Sequence, residues 1–306
     1  MHDETLAAMR TIPGREGLAR LDESVRLGGL TNRVYRVRAG GGAPMVLRIP
    51  GEGTEAYIDR EVEATNARAA ARAGVSPEVL HVDPARGLML TRHVEGVTMT
   101  PDRFRATPGA PARAGRAFRA LHDSGEAFDF RFELFAMIDG YLGVLAGLNA
   151  ALPEGYHAAV AEAEAVRAAL DAHPAALAPC HCDPLCENFI DTGERMWLVD
   201  WEYSGMNDPL WDLGDLSVEA EFGPEQDEAL LAAYFGGPPS DAARGRVVAY
   251  KAMCDLLWTL WGLIQHANAN PADDFWAYSV NRFERCRRLM RSEGFAASLE
   301  AVRGGG

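Results

Sequence analysis

Residues 181–188 concentrate side chains that could act on a phosphoryl group. They read His-Cys-Asp-Pro-Leu-Cys-Glu-Asn, and Asp200 follows twelve residues after Asn188. Phosphoryl transfer needs a carboxylate that orients and deprotonates the attacking hydroxyl, and oxygen ligands that hold magnesium against a triphosphate. Asp183, Asn188 and Asp200 can supply these parts. Any one of them alone could instead cap a turn, but all three at this spacing, around a predicted hairpin, favour a catalytic loop.

This loop and residues 200–213 resemble the choline/ethanolamine kinase family, a branch of the protein-kinase-like fold that also includes aminoglycoside phosphotransferases. The second segment reads Asp-Trp-Glu-Tyr-Ser-Gly-Met-Asn-Asp-Pro-Leu-Trp-Asp-Leu. The resemblance implies ATP and Mg²⁺ as cofactors and Asp183 as the catalytic base. It also implies that Asn188 and Asp200 are metal ligands and that His181 shapes the loop.

Residues 28–35, Gly-Gly-Leu-Thr-Asn-Arg-Val-Tyr, are similar to the hairpin with which that family covers the triphosphate. Glycines there let backbone amides approach the phosphates. The resemblance makes Gly29, Thr31 and Asn32 nucleotide-binding residues. Taken alone, the pattern is equally typical of a glycine-rich surface hairpin.

Arg48 occupies the strand position at which kinases in general carry a lysine, and choline kinases resemble this chain in using arginine there. A guanidinium can bridge two phosphates with its fork of donors. The following helix should offer a carboxylate that holds Arg48, and Glu61 and Glu63 are the candidates. They are two residues apart and cannot share a helix face. Their distance from the turn at 74–77, compared with the family, favours Glu63.

The elements around these residues predict an α+β protein with two lobes. Residues 1–93 form a small antiparallel sheet with one helix, predicted to be the nucleotide-binding lobe, and residues 94–306 form a larger, mainly helical catalytic and substrate-binding lobe. Residues 88–96 resemble the hinge between the lobes, where the backbone of Arg92 and Val94 would contact adenine. Turn and periodicity signals predict strands at 25–27, 33–38, 45–49, 79–82 and 88–91, helices at 58–73, 113–122, 134–148, 155–172, 212–235, 241–267 and 272–293, and a hairpin at 188–200.

The acceptor substrate is predicted to be a cation. Residues 183–228 contain fourteen acidic residues and a single basic one, Arg195. An acidic surface can also serve only solubility, so the aromatic residues carry more weight. Trp258 and Trp261 are three apart on a predicted helix, and rings of this kind bind quaternary ammonium groups through their faces. The alternative is that these tryptophans belong to the core.

Similarity to the C-terminal helices of choline kinases implies that such rings line a choline site. On that basis the aromatic cage comprises Tyr203, Trp258, Trp261 and Tyr278. Phe275 stands where the family often has a tyrosine, and Glu202 of the Asp-Trp-Glu-Tyr segment is taken as a further substrate-binding residue.

Composition excludes several classes of protein. The 306 residues carry a formal charge of −14, which disfavours nucleic acid and anionic membranes as partners. The most apolar stretch, 256–264, is short for a membrane span, and the five scattered cysteines lack the framework of a secreted domain. We therefore expect a cytoplasmic protein with reduced thiols. Its sequence permits a homodimer without specifying one.

The thiols and imidazole of residues 180–186 lack the paired spacing of a zinc site. The leading functional hypothesis is an ATP-dependent kinase that phosphorylates the hydroxyl of choline or a related amino alcohol such as ethanolamine. The alternatives are a kinase of another small hydroxylated cation, such as thiamine or an aminoglycoside, and a pseudokinase that binds a cation without turnover. The presence of Asp183, Asn188 and Asp200 together disfavours the pseudokinase.

Overall fold

The computed structural model describes residues 2–28, 32–51 and 58–305. Its N-terminal part is a five-stranded antiparallel sheet in the order β1-β2-β3-β5-β4. The strands are β1 Glu23–Gly28, β2 Asn32–Arg38, β3 Met45–Pro50, β4 Val79–Asp83 and β5 Leu88–Arg92. Alternation along β2 and β3 buries Tyr35, Val37 and Leu47 on one face, where α1 (His2–Arg10) contributes Met9.

Helix α2 (Arg60–Arg72) connects the sheet to the rest of the molecule. The side chain of Asp59 caps it by accepting hydrogen bonds from the amides of Glu61 and Val62. Its alanines Ala67, Ala69 and Ala70 are buried in the large core of the helical part and not in the core under the sheet. The division at residue 93 stays a prediction, and the packing of α2 extends across it.

The remainder is mainly helical and includes two small sheets. Its helices are α3 Pro101–Ala106, α4 Ala110–His122, α5 Leu134–Gly147, α6 Tyr156–Ala172, α7 Leu210–Glu219, α8 Pro224–Phe235, α9 Asp241–Ala267, α10 Phe275–Met290 and α11 Glu293–Gly304. The sheets are β6-β8-β9 and β7-β10, formed by β6 Val97–Thr98, β7 Ala178–Cys180, β8 Phe189–Asp191, β9 Met196–Leu198 and β10 Gly205–Asn207. The expected α+β architecture, a small antiparallel sheet followed by a helical lobe, is confirmed.

Some predicted elements were wrong in detail. The helix predicted over 212–235 is two helices, because Glu221 adopts a left-handed conformation (φ +50°) and Pro224 begins a new helix. The sequence analysis missed α1, α3 and α11, and α10 ends at Met290. Helix α9 is long and apolar enough to cross a membrane by length and composition, but 78% of its apolar window is buried within the protein, as in a core helix.

Candidate active site

A cluster of buried ion pairs joins the sheet to the helical lobe. Arg48 on β3 binds Glu63 on α2, and its Nη1 lies 3.4 Å from Oδ1 of Asp200 and 3.7 Å from Oε1 of Glu202. Arg60 completes the cluster, with Nη1 at 2.8 Å from Glu63 and 2.6 Å from Glu202. The expected pairing of Arg48 with Glu63 is confirmed.

Each charge in this cluster depends on its partners. Burial disfavours the charged forms of Arg48 and Glu63. Attraction and hydrogen bonding between these two side chains outweigh the effect of burial, so the pKa of Glu63 is lowered and the pKa of Arg48 is raised. Asn32 Nδ2 also donates to Glu202 at 2.7 Å, which brings the start of β2 to the same cluster. Arg48 Nε is buried without a hydrogen-bond partner among the described residues. This unsatisfied buried donor is consistent with a bound group that accepts its hydrogen.

The loop that carries Asp183 is fixed by contacts to its backbone and to its histidine. His181 Nε2 bonds to the carbonyl of Val199 at 2.9 Å, which connects the loop to the residue before Asp200. Asn188 ends a single turn of 3₁₀-helix, and its Nδ2 donates to the carbonyl of Asp183 at 3.0 Å. The amide oxygen of Asn188 is thereby left to face another ligand.

Asp212 on α7 binds the backbone of the same loop. Its carboxylate accepts from the amides of His181 and Cys182, both at 2.8 Å, and from His122 Nε2 at 3.0 Å. Cys182 has φ +66°, a strained conformation for a non-glycine residue. The hydrogen bonds from the amides of His181 and Cys182 to Asp212 hold the loop in that conformation.

The carboxyl group of Asp183 has a pKa close to neutral pH. Burial, together with the negative charge of Glu219, raises its pKa to about 7 against the attraction of Arg282. No described residue makes a hydrogen bond to its carboxylate oxygens, since the bonds described at Asp183 involve its backbone carbonyl. A general base needs this combination of an available oxygen and a pKa near the working pH.

Three carboxylates around Arg48 could contribute oxygen ligands to a divalent cation. Asp200 has φ +69°, and burial together with the adjacent Glu202 raises its pKa well above the ordinary value. Carboxylate oxygens of Glu63, Asp200 and Glu202 lie within 4.8 Å of one another. An excess of carboxylates with a free amide oxygen on Asn188 suits a hard, oxygen-seeking ion such as Mg²⁺, so the residues present fit this cofactor.

The five predicted aromatic residues lie together. Tyr203 and Trp258 meet edge to face at 5.4 Å between centroids, Trp261 Nε1 donates to the Tyr203 hydroxyl at 3.1 Å, and Trp261 contacts Phe275 and Tyr278 at 5.6 and 6.0 Å. Trp258 and Phe275 are buried, at 4% and 6% exposure. Tyr203, Trp261 and Tyr278 are half-buried and keep accessible surface. The cluster thus has an accessible wall formed by Tyr203, Trp261 and Tyr278. The rings of Trp258 and Phe275 pack behind this wall.

Acidic groups lie next to this aromatic cluster. Asp215 on α7 accepts from the Cys254 thiol at 2.8 Å and from Trp258 Nε1 at 3.4 Å. Glu219, one helical turn further, pairs with Arg282, whose guanidinium lies 4.7 Å from the centroid of the Tyr278 ring. Burial and the neighbouring Glu219 raise the pKa of Asp215 well above the ordinary value.

Three predicted site residues either lie outside the described residues or lie away from the predicted position. Gly29 and Thr31 lie outside the described residues. Glu202 is among the arginines of the ion-pair cluster and not in the aromatic cluster, because Arg60, Arg48 and Asn32 hold its carboxylate; its predicted role as a substrate ligand loses its geometric basis.

The hinge keeps two backbone groups for a ligand. The Arg92 amide already donates to the Glu78 carbonyl at 2.9 Å, and the Arg92 side chain pairs with the carboxylate of Glu78. Contact of Arg92 with adenine is therefore limited to its carbonyl oxygen. The Val94 amide has no hydrogen bond within the described part of the chain. The adenine-binding role of both residues stays a prediction.

Sequence reasoning missed five residues that shape the site. Asp212, Glu219, Arg60 and Arg282 were given no role, although the first two lie in or just after the quoted motif, and Asp215 was missed as well. Asp215 and Glu219 are four apart on α7, a spacing that places both on one helix face and could have indicated a shared acidic site. Arg282 had no local signal, because its partner Glu219 is 63 residues away in the sequence.

Comparison with known proteins agrees with this fold and site. The family model described as "Phosphotransferase enzyme family" matches residues 23–248. A solved choline/ethanolamine kinase family protein from Mesorhizobium loti is 63% identical, with 99% of each chain covered and a TM-score of 0.90. Protein LicA of Haemophilus influenzae is 27% identical over 276 residues, which span 86% of this chain and 78% of that protein. The choline kinase LicA of Streptococcus pneumoniae shares the fold, with a TM-score of 0.76 at 24% identity over 95% of this chain and 99% of that one.

A sheet and a helical lobe joined at an ion-pair cluster, with acidic side chains gathered in the cleft, define a phosphotransferase of the protein-kinase-like fold. The family match covers most of the chain. The protein therefore belongs to the phosphotransferase enzyme family and, within it, to the choline/ethanolamine kinases.

Proposed function

We propose that this phosphotransferase transfers the γ-phosphoryl group of ATP to the hydroxyl of choline, with ethanolamine as a poorer acceptor. The observation that carries the choice of acceptor is the three-ring wall of Tyr203, Trp261 and Tyr278 next to Glu219 and Asp215. Aromatic faces bind a trimethylammonium group that has no hydrogen to donate. The rings carry the preference, because Glu219 is already paired with Arg282 and the raised pKa of Asp215 favours its neutral form.

The aromatic wall is close to the proposed base. Burial raises the pKa of Tyr278, the positive charge of Arg282 lowers it, and the negative charges of Glu219 and Asp183 raise it, so both carboxylates are within the range at which charges act on the Tyr278 hydroxyl. Choline separates its ammonium from its hydroxyl by two carbons. A cation held at the rings can therefore present its hydroxyl towards Asp183, which accepts the proton as the oxygen bonds to phosphorus.

The nucleotide would lie on the other side of Asp183. Arg48, held by Glu63, offers its guanidinium to the phosphates, and Asn188 and Asp200 would hold Mg²⁺. The bound ion would neutralise charge on the phosphate oxygens. The chain's own contribution is to orient the hydroxyl, accept its proton and keep Arg48 charged.

A coupled assay of ADP release tests the proposal. Choline should give the highest kcat/KM, and the value should fall through the mono- and dimethylated ethanolamines to ethanolamine. Thiamine and kanamycin are the comparison acceptors for the alternative kinases. Faster turnover of either one, or nucleotide binding without ADP release with any acceptor, would contradict the choline assignment.

A further inference from the structure

A cavity of about 720 Å³ opens behind the hinge, between the C-terminal end of α2, the loop that follows it and strand β9. Arg68, Arg72, Arg92, Val79 and Trp197 are among its lining residues. The lining includes none of Arg48, Glu63, Asp183, Asn188 or Asp200, but it does include Arg92 and Val94, whose backbone is predicted to contact adenine. The cavity therefore borders the hinge and is separate from the residues proposed to transfer the phosphoryl group.

The geometry of α2 supports this separation. Glu63 faces Arg48, and at 3.6 residues per turn Arg68 is about 140° and Arg72 about 180° around the helix from Glu63. Arg68 and Arg72 are exposed, whereas Glu63 is buried. The cavity thus lies on the face of α2 opposite to the ion-pair cluster, where no role has been assigned.

The charges around the cavity favour an anion. Arg72 is paired with Glu126 and Arg92 with Glu78, each at 2.6 Å. Arg68 has no ion pair or hydrogen bond within the residues that the structure describes. It therefore adds uncompensated positive charge in a chain whose formal charge is −14.

The cavity also has an apolar wall. Trp197 and Val79 line it, and the guanidinium of Arg195 lies 4.0 Å from the centroid of the Trp197 ring. Arg195 also binds the carbonyl of Gly74, which fixes the side chain beside the indole. Small-molecule sites typically combine an apolar wall with a few polar groups in a volume of roughly 300–1,000 Å³.

We propose that this cavity binds a small organic anion, in which a phosphate or carboxylate contacts Arg68 and an attached apolar ring packs on Trp197. Guanidinium groups bind such oxyanions with paired hydrogen bonds. The ligand and a nucleotide occupy different faces of the hinge, so both bind at once. This inference does not rest on the choice of acceptor alcohol.

Calorimetric titration of the full chain with phenyl phosphate, with and without saturating MgADP, tests the proposal. We expect one site per chain in both conditions, and at least tenfold weaker binding of inorganic phosphate, which lacks the ring, and of phenol, which lacks the charge. Arg68→Glu and Trp197→Ala should each weaken phenyl phosphate at least tenfold. Arg116→Glu is the matched control, because Arg116 is an exposed arginine of α4 outside the cavity.

Three results would overturn the proposal. The first is the absence of binding at millimolar phenyl phosphate, and the second is an equal affinity for Arg68→Glu and Arg116→Glu. The third is loss of binding when MgADP is added, since this would place the ligand in the active site. Kinase turnover of Arg68→Glu should match the parent protein and serves as the check that the variant is folded.

Discussion

Asp183 and Asp200 are both acidic residues of the proposed active site, but their neighbours differ. Asp183 has no hydrogen bond to its carboxylate oxygens from any described residue, and Glu219 helps to raise its pKa to about 7. Asp200 lies 3.4 Å from Arg48 and beside Glu202. The first arrangement suits proton transfer, and the second suits a metal ion bound against phosphate.

We predict that Asp183→Asn and Asp200→Asn lose activity for different reasons. Removing the base should lower kcat by about 10²–10⁴-fold with little change in MgADP affinity. Asp200→Asn should weaken MgADP binding strongly, because it removes the charge of a proposed magnesium ligand. Titration calorimetry with MgADP and with metal-free ADP measures the difference. Equal loss of MgADP affinity in the two variants would rule out this division of roles.

The aromatic cluster allows a test at the same scale with a matched pair of tryptophans. Trp261 belongs to the accessible wall and Trp258 to the buried layer. Trp261→Ala should raise KM for choline more than for ethanolamine, because a primary ammonium can partly replace the ring contact with hydrogen bonds and a trimethylammonium cannot. Trp258→Ala should mainly lower the free energy of unfolding, by about 3–5 kcal/mol for a buried tryptophan. Melting curves and kcat/KM for both alcohols separate the two effects; an unchanged preference in Trp261→Ala would contradict the choline site.

At the scale of elements, the packing of α10 on α9 positions Tyr278. Gly262 lies at their contact, where an added methyl group would overlap Ser279 Oγ and lie 2.6 Å from Cδ1 of Tyr278. The absent side chain is what allows this ring to approach α9. The specificity of the aromatic wall therefore depends on a residue that makes no contact with the substrate through a side chain.

Gly262→Ala should displace Tyr278 and destabilise the protein by about 1–3 kcal/mol through overpacking. We also expect KM for choline to rise while kcat changes less. Gly143→Ala on α5 is the control, because a methyl group there meets no atom within 4 Å and alanine stabilises a helix by up to about 1 kcal/mol relative to glycine. If Gly262→Ala were as stable and selective as Gly143→Ala, the proposed role of this contact would be wrong.

The elements near the site could be predicted because their signals are local. The strand that carries Arg48, the helix that carries Glu63 and the hairpin after Asn188 each have turn residues at their ends. The continuous helix predicted over 212–235 was wrong because Glu221 is left-handed and Pro224 begins a new helix. The ion pair between Glu219 and Arg282 depends on how α7 and α10 pack, and no local pattern encodes it.

At the scale of the whole molecule, two cores of unequal size stabilise the fold. The core under the sheet has ten buried members, including Tyr35, Leu47 and Leu90. The larger core extends from α2 through the helical lobe. Arg48 and Glu63 therefore form an ion pair between an element of the small core and an element of the large one. A two-lobed fold was predictable from the turn and periodicity signals, but this assignment of α2 was not, because alanine-rich helices suit either core.

Hydrogen exchange should show the difference in stability between the small core and the large core. We expect amides of β2, β3 and β5 to exchange faster than those of α7 and α9, because a small core opens at lower free energy. MgADP should slow exchange in the three strands more than in α11, because the ligand contacts Arg48 on β3. Mass spectrometry of the exchanged protein measures both comparisons. Equal protection of the sheet and α9 without ligand would contradict independent opening of the small core.

The use of arginine at position 48 determines which reagents can detect this enzyme. Nucleotide analogues that acylate a kinase lysine have no amine side chain to modify in the cleft, because the single lysine of the sequence, Lys251, is on α9 in an ion pair with Asp227. Surveys that count kinases by lysine labelling would leave this protein out even when it is fully active. A dicarbonyl compound that reacts with guanidinium groups, applied with and without nucleotide and followed by peptide mapping of Arg48, would report occupancy of the same position.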